Sequence, residues 1–97
     1  MNTRDTILQT LKALKPELAS RYHVKALGVF GSLIRGEQTA TSDVDILVEF
    51  KEPIGFFQFL ELEEYLGVQL GQPVDLVSKK ALKPRIGRRI LREVMTV

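Results

Sequence analysis

Apolar positions recur at helical spacing from the start of the chain: Ile7, Leu8, Leu11, Leu14 and Leu18 lie on one stripe with polar residues between them. The pattern predicts a helix, with Asn2 or Thr3 as its cap. Pro16 lacks an N–H and crowds the preceding turn. A break is therefore expected near Lys15, followed by a short second helix from Pro16 to about Tyr22. Lys25 to Phe30 reads as a strand that stops at Gly31-Ser32, and residues 31–42 as a polar connection with one helical turn over 32–36. From Asp43 to Phe50 the alternation is strict: Asp43, Asp45, Leu47 and Glu49 share one face, and Val44, Ile46, Val48 and Phe50 the other. Glu52-Pro53-Ile54-Gly55 interrupts it. A helix is expected over 56–70, with Phe56, Phe59, Leu60, Leu66 and Leu70 as its stripe and Gly71 as its left-handed cap. Pro73 to Val77 reads as a short strand, and residues 84–95 as a last helix opening on Pro84. Helices and about three strands in this order predict an α/β (α+β) fold, one small mixed sheet with helices packed on it. The whole span 1–97 is read as a single domain.

Composition narrows the chemistry. The 97 residues hold 14 Lys and Arg, 12 Asp and Glu, one His and no Cys. Disulfides, Cys-bound zinc and thiol catalysis are excluded, and His23 alone cannot build a histidine metal site. No apolar run reaches the ~20 residues of a membrane span, so a cytoplasmic protein is expected. A net charge of +2 does not by itself point to nucleic acid. Arg85, Arg88, Arg89 and Arg92 nonetheless make a continuous basic face on the last helix, opposite Ile86, Ile90 and Val94. That is either a solvated face or a contact for an acidic partner or nucleic acid. Phe56, Phe57 and Phe59 read as core, with Phe57 the one expected to be exposed at an interface. His23 and Tyr65 carry no predicted catalytic role.

The most informative triplet is Asp43-Val44-Asp45. Side chains two apart on a strand point the same way, so two carboxylates crowd one face, and a divalent cation such as magnesium relieves their repulsion. Asp75 lies opposite Val74 and Leu76 in another short strand. If the two strands are neighbours it joins the pair, giving three carboxylates, enough for a two-ion phosphoryl-transfer site. Either acidic motif taken alone is commonly just the wet face of a strand. Gly31 lets the backbone approach a ligand closely, Ser32 opens a helical turn suited to a phosphate, and Arg35 falls on the same side to steady a phosphate or pair with a carboxylate. A simple capping turn would look similar. The combination is more specific than its parts: a phosphate cradle followed eleven residues later by Asp-x-Asp is the equipment of nucleotidyl transfer.

Phe30-Gly31-Ser32-Leu33-Ile34-Arg35-Gly36, followed by Ser42-Asp43-Val44-Asp45-Ile46-Leu47-Val48, resembles the Gly-Ser…Asp-x-Asp signature of the DNA polymerase β-like nucleotidyltransferases. More narrowly it resembles the minimal, antitoxin-type members. The resemblance extends over nearly the whole chain, although Leu33-Ile34 is less polar than the family's usual spacing residues. It implies a polymerase β-like palm, with Asp43, Asp45 and Asp75 catalytic and holding magnesium (two Mg2+ ions) and Gly31, Ser32 and Arg35 holding the triphosphate of ATP. It also implies an HEPN-domain toxin as partner, with AMP passed to one of its tyrosines. Nucleic acid is not expected as a direct substrate. An antitoxin that binds nucleotide but neutralises its partner only by occlusion is the alternative. Transfer to a small molecule such as an aminoglycoside would need a drug-binding domain for which no residues remain. The acceptor's identity, the nucleotide preference and self-association stay open.

Overall fold

The computed structural model describes residues 4–37 and 42–97; the expected caps Asn2 and Thr3, and part of the 31–42 connection, lie outside them. The elements are α1 (Arg4–Tyr22), β1 (Val24–Phe30), α2 (Ser32–Arg35), β2 (Val44–Phe50), α3 (Phe56–Leu70), β3 (Val74–Ser78), a 3-10 turn (Lys79–Ala81), α4 (Pro84–Glu93) and β4 (Met95–Thr96). The strands form one mixed sheet in the order β3-β2-β1-β4. β1 is antiparallel to β2 and β4, and β3 is parallel to β2. Among the described residues no helix is long and apolar enough to cross a membrane.

Alternation decides which face of the sheet is dry. Leu27 and Val29 of β1, Val44, Ile46 and Val48 of β2 and Leu76 of β3 are buried in one cluster with Ile7, Leu11, Leu18 and Tyr22 of α1 and Leu62, Leu66 and Leu70 of α3. Burial of so many aliphatic side chains, each contributing about 1.5–3 kcal/mol, holds the two helices to this face. A polar cluster ties the same helices together at their edge. Tyr65 donates to Glu17 at 2.5 Å, Tyr22 donates to Glu61 at 3.1 Å, and the Arg21 guanidinium lies over both tyrosine rings. The exposed edge of β3 is closed by Glu63, whose carboxylate accepts the Leu76 N–H at 2.8 Å.

Several expectations need correction. Pro16 does not divide the first helix, which runs unbroken from Arg4 to Tyr22. The proline sits on the exposed side, and packing of Leu11, Leu18 and Tyr22 on either side of it outweighs the lost backbone bond. The last helix ends at Glu93, not 95. Val94 turns extended and the next residues form a fourth strand that pairs Gly28 with Thr96 and Val29 with Met95. Gly28 makes this possible, because an added Cβ would meet Val94 Cγ2 at 2.4 Å and the Met95 carbonyl oxygen at 3.2 Å. Phe56 is not part of the buried stripe of α3: both Phe56 (70 %) and Phe57 (83 %) are exposed, whereas Phe59 packs against the core and Leu62 takes a fully buried place. On α4 it is Gly87, not Ile86, that turns inward; Ile86 is exposed. His23 is exposed and adopts φ 59° between α1 and β1. Gly71 is the left-handed cap of α3.

Replacing Pro16 with Ala restores a backbone donor in mid-helix. Unfolding in denaturant should show a gain of about 1–2 kcal/mol, the helix benefit less the entropy that proline removes from the unfolded chain. An unchanged or lower stability would show that the helix is already relaxed around Pro16.

Candidate active site

The second face of the sheet is set by the same registers. Phe30 pairs with Asp45 across β1 and β2, and Asp45 pairs with Asp75 across β2 and β3. Register partners point to one side of a sheet, so Asp45 stands between the end of β1 and Asp75. Asp43 precedes the first residue of β2, one alternation back. Asp45 is half-buried; Asp43 and Asp75 are exposed. Burial raises the Asp45 pKa, and the charges of Asp75 and then Asp43 push it the same way, against a smaller pull from Arg35. The three carboxylates predicted from sequence are thus neighbours, and Asp75 and Asp43 both oppose the ionisation of Asp45. They do not close on a common point: among the described residues no three acidic or histidine side chains are gathered tightly enough to enclose an ion.

Gly31 lies against this group. Its φ is 80° and its ψ −151°, a conformation open essentially to glycine alone. A Cβ built there would meet Asp45 Oδ2 at 2.1 Å. The Gly31 carbonyl accepts the N–H groups of Ile34 and Arg35, each at 3.1 Å, which starts α2. The N–H groups of Ser32 and Leu33 come before these first internal bonds and head the turn beside Asp45. Gly36, in the left-handed region at φ 72°, ends it. Arg35 is exposed and bonds two carboxylates, Glu37 and Glu93, which raise its pKa further.

Glu93 is a residue that sequence reasoning missed. It reaches from the last turn of α4 to accept the Gly31 N–H and an Arg35 Nη1 hydrogen, both at 2.7 Å. The Arg35 bond lowers the Glu93 pKa most; the Gly31 N–H adds to it, and burial opposes both. Its only sequence signal is an acid at the C-terminal end of a strongly basic helix, where the helix dipole disfavours it.

The donor set suits a hard cation. Three carboxylates offer only oxygen, the chemistry of magnesium, and Asp45 is held where its charge lacks a sufficient counter-ion.

Residues 11–95 match the family model of the nucleotidyltransferase domain. The chain belongs to that family. Its whole length is 50 % identical to 98 % of the protein adenylyltransferase MntA of Thermococcus cleftensis. It is 45 % identical, with both chains fully covered, to a candidate protein adenylyltransferase of Methanocaldococcus jannaschii. Among solved structures, a candidate minimal nucleotidyltransferase superposes with a TM-score of 0.75 at 36 % identity, covering 93 % of this chain and 95 % of that one. A complex of Shewanella oneidensis, an AMPylated HEPN toxin with its MNT antitoxin, shares the fold at 20 % identity and a TM-score of 0.66, covering 92 % and 68 %. The α+β fold and the nucleotidyltransferase class expected from sequence are both borne out.

An Asp45 pKa raised in the folded state means that this group's contribution to stability is full below the unfolded value near ~4 and is lost as pH rises through the folded value. In metal-free nucleotidyltransferase, Asp45→Asn should therefore raise the melting temperature at pH 7, and the gain should shrink as the pH is lowered through the raised folded value towards ~4. A lower melting temperature at pH 7 would mean that Asp45 has a stabilising partner.

Proposed function

We propose that this nucleotidyltransferase transfers AMP from ATP to a tyrosine hydroxyl of a partner HEPN-domain toxin, with magnesium, and so acts as the antitoxin of the pair. One observation carries the reading: Asp45 is flanked by Asp75 in strand register and by the Gly31 backbone in near contact. The 50 % identity to an MntA protein adenylyltransferase over the full chain supports the transferred group. Two toxin–antitoxin complexes that share the fold, one holding AMP-PNP and one an AMPylated HEPN toxin, support the nucleotide and the partner. The family match over residues 11–95 and a sheet running from Val24 to Thr96 support 1–97 as one domain. A cytoplasmic location, where ATP and magnesium are at hand, fits this chemistry.

Each side chain then has a task. The Ser32 N–H and hydroxyl hold the triphosphate, and Gly31, without a side chain, lets the backbone approach it closely. Arg35 neutralises charge on the departing phosphates. Asp43, Asp45 and Asp75 would hold the magnesium, which when bound supplies charge neutralisation at the phosphates and offsets the repulsion among the three. The acceptor hydroxyl attacks the α-phosphorus, its proton passes to Asp75, the bond to the β-phosphate oxygen breaks, and pyrophosphate leaves. An antitoxin acting by occlusion alone would have no use for Asp45 in a place where burial and two carboxylates oppose its charge.

The acceptor is a protein surface, and the exposed side chains of this chain suit docking. Phe56 and Phe57 stand out from α3, and Arg85, Arg88, Arg89 and Arg92 line a groove of about 480 Å3 on α4. Incubation with magnesium, ATP and a co-expressed HEPN partner should add AMP to the partner, read by mass spectrometry. Asp43→Asn and Asp45→Asn should abolish the addition while remaining folded. A tight complex with no AMP on either chain would favour occlusion. Changing Arg88 and Arg92 together to Ala should weaken the complex, most strongly at low salt; equal affinity at every salt concentration would remove α4 from the interface.

A further inference from the structure

Glu93 is placed against the electrostatics of its own helix. It is the last residue of α4, where the backbone dipole favours a cation, and its side chain is only 17 % exposed. An acid in that position needs compensation, and both of its oxygens obtain it from one place. Oε2 accepts the Gly31 N–H and Oε1 accepts Arg35 Nη1, each at 2.7 Å. Gly31 is 62 residues away along the chain. These two donors belong to the turn that heads the carboxylate group. Holding the Gly31 N–H helps fix a backbone conformation that glycine alone adopts, and with it the direction of the Ser32 N–H. The guanidinium has five N–H donors in a rigid fork. Glu93 takes one on Nη1 and Glu37 takes Nε from the exposed side, which leaves Nη2 and the second Nη1 hydrogen for another anion.

We propose that Glu93 is a positioning residue for the nucleotide, which clamps the Gly31–Ser32 turn and the Arg35 fork into the arrangement that receives the triphosphate. The inference rests on the nucleotide site proposed above and adds a residue to it. Glu93 itself touches no phosphate; it acts through Gly31 and Arg35. The clamp comes from the last residue of α4, immediately before Val94 turns extended.

The test is direct binding of AMP-PNP with magnesium, by equilibrium dialysis, to the wild type, Glu93→Ala and Glu93→Gln, with thermal melts of each and the KM and kcat of AMP transfer. Glu93→Ala removes two charge-assisted hydrogen bonds from the turn and should weaken binding roughly tenfold or more. Glu93→Gln keeps a neutral acceptor for the Gly31 N–H and should recover part of the loss. KM should rise more than kcat falls. In an Arg35→Ala background the further change at Glu93 should cost less than it does alone. Wild-type protein that binds no AMP-PNP would defeat the nucleotide reading itself. Wild-type affinity in folded Glu93 variants, whatever their melting temperatures, would make Glu93 a structural strut and overturn the proposal. Tighter binding in the variants would overturn it too, by showing that Glu93 competes with phosphate for the same donors.

Discussion

The near contact between the Gly31 backbone and the Asp45 carboxylate is the constraint that the rest of the site obeys. A single carbon added to Gly31 would overlap Asp45 Oδ2 at 2.1 Å. That closeness follows from the antiparallel register that sets Phe30 against Asp45, so the turn leaving β1 has nowhere else to go. The parallel register of β3 then brings Asp75 to the other side of Asp45. The glycine–serine turn and the carboxylate group become adjacent because three strands are aligned, with no loop needed to fold one onto the other.

The arrangement is locally unfavourable, and the dry face of the sheet offsets it. Asp45 loses hydration and faces two like charges, with only a partial counterweight from Arg35. Gly31 holds a conformation forbidden to other residues. Neither would persist on an isolated hairpin. Fully buried aliphatic residues of α1, α3 and the three long strands fix the registers from the opposite face. Burying such side chains contributes about 1.5–3 kcal/mol each, enough in sum to impose strain of a few kcal/mol at one point. On the site's own face the cover is lighter. α4 lies beside Gly28 and Leu47, leaving a cleft of about 190 Å3 next to the strand that carries Asp45.

Much of this was legible in the order of residues. Alternation from Asp43 to Phe50 identified which side of β2 is wet, and Val74-Asp75-Leu76 repeated it, so Asp43 and Asp45 could be assigned to one face, with Asp75 joining them only if the strands proved to be neighbours, as the register of β2 and β3 shows. Gly31-Ser32 after a strand marked the turn. Where local rules met tertiary packing, they failed. Pro16 reads as a break because its backbone bond is lost, but apolar residues on both sides of it are held to the sheet and carry the helix through. Phe56 fits a helical stripe by spacing, yet it lies at the first turn of α3, where exposure is 70 %. The fourth strand spans two residues, too few to show a period. Glu93 left almost no pattern, because its partners lie 58 and 62 residues away and belong to no repeat.

A structure of the protein with magnesium and AMP-PNP tests the central claim most directly. The triphosphate should lie on the Gly31–Ser32 turn, within reach of Arg35, with magnesium held by Asp43, Asp45 and Asp75. Nucleotide bound elsewhere, for example along the arginine groove of α4, with no metal at the three aspartates, would contradict it.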